Sequence, residues 1–172
     1  MKKFKSIPAL VLVVVFAFTG LTFAAGFGAA AVTPEKDYAV ADMLTYALQD
    51  EHLALAEYQA IVDTYKVSRP FSNIMRAEKQ HIAWLLPLFE QYAIEVPEID
   101  ASEHIVLPDS LSEIHAAGVQ AEENNIAMYE TFLADDDLPD DLRDVFLRLL
   151  AASENHLRAF SRQTAGVSRI RR

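Results

Sequence analysis

The 172-residue sequence has no cysteine, only five glycines, and 15 Lys plus Arg against 25 Asp plus Glu. Lack of cysteine excludes disulfide frameworks, thiolate-held zinc or iron–sulfur centres, thiol nucleophiles and lipid attachment at an N-terminal Cys. A net charge of −10 argues against a nucleic-acid partner, because phosphate binding needs clustered Lys and Arg. Scarce glycine, with no alternating apolar runs bounded by turns, leaves no β signal. Carboxylate and imidazole remain as the strong ligands, a set suited to holding cations.

Charge is unevenly spread. Residues 1–31 carry Lys2, Lys3 and Lys5 and no acid, and Ser6 to Pro34 has no charge at all. The basic start, the apolar run Ile7 to Phe18 and the small-residue stretch Ala24 to Ala31 read as a signal peptide, cleaved after Ala24 or Ala31. The apolar stretch is long for that role, so the alternative is an N-terminal membrane anchor, a tether through residues 7–27. Either reading places the working part outside the cytoplasmic face: periplasmic, extracellular or anchored facing outward. Residues 32–172 form the second unit, an acidic domain ending in a short basic tail.

Thr33-Pro34-Glu35 has the cap, proline, acid order of a helix start, and the pattern predicts a first helix over 36–66. Ser68-Arg69-Pro70 breaks it, and Phe71 to about Tyr92 repeats apolar residues as a second amphipathic helix. Prolines at 97 and 108 mark a long connection. Ser110 with Glu113 makes a capping-box start for a third helix over 110–134, and Pro139 to about Gln163 makes a fourth. Short, long, short loops predict an all-α, ferritin-like four-helix bundle: two antiparallel helix pairs joined by one crossover.

Stepping three or four residues along each apolar stripe meets an ionisable group on every helix. These are Glu51 on the first, Glu78 and His81 on the second, Glu122 on the third and His156 on the fourth. A lone Glu on such a stripe is ordinarily a snorkelling side chain, and one Glu-x-x-His occurs by chance. Four helices agreeing in depth is a different matter: three facing carboxylates would cost several kcal/mol unless a cation or shared protons compensate. Oxygen and imidazole ligands suit iron, manganese and zinc. Tyr58 and Tyr129 read as core residues, with a hydrogen bond to a ligand carboxylate as the alternative. His52 and His104 read as surface or loop residues, and His115 as an interior one. The acids from 135 to 144 lack the glycine and final Glu of a calcium loop.

The series Glu51, Tyr58, Glu78-Lys79-Gln80-His81, Glu122 resembles the rubrerythrin-type ligands of the ferritin-like superfamily. More closely, Asp50-Glu51-His52-Leu53-Ala54, the string Phe71 to His81 and Asn155-His156-Leu157-Arg158-Ala159-Phe160 resemble an uncharacterised ferritin-like family, domain of unknown function 2202. The resemblance implies Glu51 and Glu122 as terminal ligands, Glu78 as a bridge, and one imidazole, His81 or His156, for each metal. It also implies two departures. Ser153 stands where the last helix would carry a carboxylate, and Asn125 where a second acid would follow Glu122. The set is one carboxylate short of six, so it implies either a di-iron centre or a single-metal site.

The leading expectation is therefore an exported iron protein, with oxygen or peroxide as partner and oxidase or peroxidase-type chemistry. The alternative is a metal-free bundle serving as an envelope interaction module. Rubrerythrin proper is disfavoured, because no Cys pair exists for its electron-donating centre. The sequence does not fix an oligomeric state.

Overall fold

The computed structural model describes residues 26–34 and 36–170. The expected signal segment and tether lie outside the described residues up to residue 25, as does Glu35 of the expected helix start. Among the described residues there are four α-helices and no strand: α1 (Val40–Tyr65), α2 (Phe71–Gln91), α3 (Leu111–Leu133) and α4 (Asp140–Ile170). Two short 3-10 turns accompany them, Gly28–Ala31 before α1 and Ala101–His104 in the long connection.

The helices pair as antiparallel hairpins, α1 with α2 and α3 with α4, while α1 meets α3 over a short stretch only. Two tyrosines fix the direction of the crossover. The Tyr65 hydroxyl donates to the Pro108 carbonyl, tying the end of α1 to the approach to α3. At the opposite end the Tyr92 hydroxyl donates to Asp141 at 2.6 Å, tying the end of α2 to the start of α4. The connection from 92 to 110 therefore runs the length of the bundle.

Local chemistry explains the helix ends. Ser110 caps α3 by accepting the Glu113 N–H at 3.3 Å, half of the expected capping box. Arg143 closes the α3–α4 turn by donating to the carbonyls of Leu133 at 2.9 Å and Asp135 at 2.7 Å. The first helix corrects the sequence reading: it begins at Val40, not residue 36. Tyr38 is buried instead of helical; its hydroxyl accepts the Thr33 N–H at 2.7 Å and its ring meets Phe132 edge-on, which closes a loop where a first turn was expected. The expected tail is corrected too, since α4 continues to Ile170.

Two apolar clusters fill the bundle. One gathers Leu44, Leu48, Leu85, Phe89, Phe132, Phe146 and Leu149; the other Ile61, Phe71, Ile74, Ile114 and Phe160. Gly118 serves the second: a Cβ there would lie 3.0 Å from the Phe160 ring, so only glycine lets α3 and α4 approach so closely. The ionisable groups sit in the layer between these clusters, where water is excluded from both ends.

Candidate metal centre

Glu51, Glu78, His81, Glu122 and His156 are each less than a tenth exposed. Five residues scattered over more than a hundred positions thus converge on one buried layer, one from each helix except α2, which contributes the Glu78/His81 pair. They form two groups that share Glu78: Glu51, Glu78 and His81, and Glu78, Glu122 and His156. Within each group the donor atoms lie within 4.8 Å of one another, close enough that the groups could hold a metal ion.

The two groups differ in closeness. His81 Nδ1 lies 3.0 Å from Glu51 Oε2 and 2.8 Å from Glu78 Oε2, ordinary hydrogen-bond distances. His156 Nδ1 stands 3.4 Å from Glu78 Oε1 and 3.5 Å from Glu122 Oε1. Two tyrosines clamp Glu51 and Glu122 across the α1–α3 seam. Tyr129 donates to Glu51 Oε1 at 2.8 Å and Tyr58 to Glu122 Oε1 at 3.0 Å. Both tyrosines are core residues, as the sequence suggests, and each also hydrogen-bonds a buried glutamate. Glu122 Oε2 is buried with no hydrogen-bond partner among the described residues. Such an orphaned acceptor is costly in a protein interior unless something electropositive faces it.

Electrostatics separate the carboxyls further. Burial, and then the charge of Glu51, push Glu78 well above the ordinary carboxyl range, with Glu122 and Asp50 adding to the rise. Burial alone would raise Glu51 as well. Hydrogen bonding and charge from His81, with hydrogen bonds from Glu78 and Tyr129, outweigh it and hold that carboxyl below its usual value. Burial also raises both tyrosine hydroxyls well above 10, so they remain donors.

Ser153 and Asn125 are buried beside the set, at the two positions where carboxylates were missing. His115 stacks on Phe71 inside the second apolar cluster, with ring centroids 5.7 Å apart. His104 lies in the long connection, as its surface or loop reading allows, but it is half-buried: it stacks on Phe27 at 3.9 Å, and its Nδ1 is buried without a hydrogen-bond partner.

Asp50 and Glu57 are not among the site residues expected from the sequence. Asp50 is buried, accepts the Ala29 N–H at 2.9 Å, and is pushed by burial up to about 8. Burial raises Glu57 to about 7, against a weak bond from the Val106 N–H at 3.4 Å. No periodicity could have revealed Asp50, because its partner Ala29 lies in the apolar stretch assigned to the leader.

The family described as an uncharacterized protein domain, DUF2202, matches residues 40–168. No curated protein matches the chain. A hypothetical protein from Methanococcus jannaschii, known from its crystal structure, superposes with a TM-score of 0.66 at 22% identity, covering 80% of this chain and 87% of that one. At that identity the likeness is one of fold.

Proposed function

The chain belongs to the DUF2202 family, and on that premise we propose that it is a ferritin-like metal protein whose bundle holds two divalent ions, with iron the favoured metal. One observation carries the reading: two buried donor groups meet at Glu78, and in the second of them a carboxylate oxygen of Glu122 has no hydrogen-bond donor. Glu51, Glu78 and His81 would hold one ion, and Glu78, Glu122 and His156 the other. Carboxylate-rich sets with one imidazole suit iron or manganese ahead of zinc, and thiol-seeking metals find no ligand here. The tyrosines fix the orientation of both terminal carboxylates, a supporting role that ordinarily governs affinity.

Iron held in this way supplies one-electron chemistry with oxygen or peroxide, which we propose as the reaction class. The charge-free stretch from Ser6 supports export, with function outside the cytoplasmic face. The test is anaerobic Fe(II) addition to the purified protein, read by metal analysis and by thermal melting. Ligand at about 100 times its Kd should stabilise by about 2.7 kcal/mol. Protein that retains no metal and shows no thermal shift would refute the proposal.

The close pairing of His81 with Glu51 and Glu78 favours one second reading, a metal-free bundle whose acids are compensated by imidazole and shared protons. It predicts that Glu51→Gln breaks the pair with His81 and lowers the melting temperature equally with and without Fe(II). The metal reading predicts loss of the thermal shift instead.

A further inference from the structure

We propose that the seam between α1 and α3 is the passage by which a divalent cation reaches these carboxylates, and that the segment 26–32 is its removable cover. This rests on the metal reading above. α1 and α3 barely touch; the turn Gly28–Ala31 packs on both of them and the turn Ala101–His104 packs on α1. Behind the turns lies a cavity of about 30 Å³ whose walls include Asp50, Glu57, Tyr58, His104 and Asn125. That is room for about two water molecules. A hydrated divalent ion cannot pass while the cover is down.

The cavity stops one side chain short of the metal ligands, since the Tyr58 hydroxyl on its wall donates to Glu122. Half of its lining is apolar, from Phe27, Leu53 and alanines; the other half offers carboxyl, phenol and amide oxygens of the kind a hard cation uses, with no Lys or Arg among them. One of the lining groups lacks a hydrogen-bond partner: His104 Nδ1 is buried without one. Asn125 is a buried amide one turn beyond Glu122.

The cover is seated by Ala29, which is buried in the first apolar cluster, and by three specific contacts. Phe27 stacks on His104 at 3.9 Å, the Gly28 N–H donates to Gln49 at 3.1 Å, and the Ala29 N–H donates to Asp50 at 2.9 Å. Gly28 lies flush because it has φ +57 and no side chain; a Cβ there would stand 2.8 Å from Asp50 Oδ1.

Co(II) uptake by the full chain, followed by visible absorption, and its removal by a chelator test the passage. Phe27→Ala and, separately, Gly28→Val should each speed both rates about tenfold, the effect of weakening one or two such contacts, while the amount bound stays the same. Normal binding with unchanged rates in both variants overturns the cover. Failure of the wild type to bind Co(II) or Fe(II) overturns the metal reading instead. A third protein works in the opposite sense. Phe27→Cys with His104→Cys, bridged by a short bis-maleimide in a chain with no other thiol, should load about tenfold more slowly than the same protein unbridged. Equal rates would again refute the cover.

Discussion

The two hairpins of the bundle carry nearly the same equipment, and the places where they diverge are informative. α1 presents Glu51 and then Tyr58; α3 presents Glu122 and then Tyr129 at the same spacing, and each tyrosine donates to the other helix's glutamate. α2 and α4 present His81 and His156, but Glu78 on α2 is answered by Ser153 on α4. The first hairpin is consequently drawn tight around His81, whereas His156 stands back from both of its carboxylates. The outer faces diverge as well. Asp50 and Glu57 on α1 correspond in position to Ala121 and Met128 on α3, so the α1 side alone brings acids to the cavity. A nearly twofold centre thus has a tight half and a loose half, and they share one carboxylate.

Removing that shared group is the most damaging change to the comparison. Glu78→Ala should abolish metal retention in both halves together, and with it the thermal shift on Fe(II) addition of about 2.7 kcal/mol at saturating metal. If one ion survives, counted by metal analysis, the halves do not depend on a common bridge.

Next in size is the attempt to make the halves equal. Ser153→Glu supplies the missing carboxylate, so it should tighten the weaker ion about tenfold and raise a substoichiometric metal content toward two. In the absence of metal the added buried charge should cost a few kcal/mol, on the order of 10 °C in melting temperature. A variant that melts higher than wild type without metal would contradict this account of Ser153.

The tyrosines should show a smaller and graded effect. Tyr129→Phe and Tyr58→Phe each remove one hydrogen bond to a terminal carboxylate, and metal affinity should fall by about 10-fold to 100-fold. Tyr129 makes the shorter bond, so its loss should weigh more on the tight half. Equal losses, measured by competition with a chelator, would remove the distinction between the halves.

The smallest expected effect concerns the outer acids. Folded Glu57 keeps its proton up to about 7, whereas the unfolded chain releases it near 4.5. Its contribution is therefore fully present below 4.5 and is lost as pH rises through 7. Glu57→Gln should flatten the fall in melting temperature of the metal-free protein between about pH 5 and 8. Part of the slope remains through Asp50, which is raised in the same direction. A curve identical to wild type would show that Glu57 is not held in its folded environment.

Much of this was legible in the chain, for one physical reason. Helical periodicity puts residues three and four apart on one face, so Glu78 with His81 could be placed before any coordinates. Stripe phase alone then picked Glu51, Glu122 and His156. Loop lengths carried the pairing of the helices, and the Ser110 cap located the start of α3. The rest depended on contacts that no local pattern encodes. Tyr38 turned inward and delayed α1, and the side of the expected boundary that reads as leader placed Ala29 against Asp50. Phe27 on His104 is likewise a meeting of two segments, one of which reads as leader and the other as loop.

The serine at position 153 has a consequence for charge balance. Glu51, Glu78 and Glu122, fully ionised, bring three negative charges, while two divalent ions bring four positive ones. A filled centre would retain a net positive charge in a layer walled off by apolar clusters on both sides. Such a surplus is not easily left bare at low dielectric. The natural complement is one small monovalent anion, hydroxide being the simplest. A centre with a second bridging carboxylate would already be neutral, and here that position of charge is left for a molecule from outside the chain.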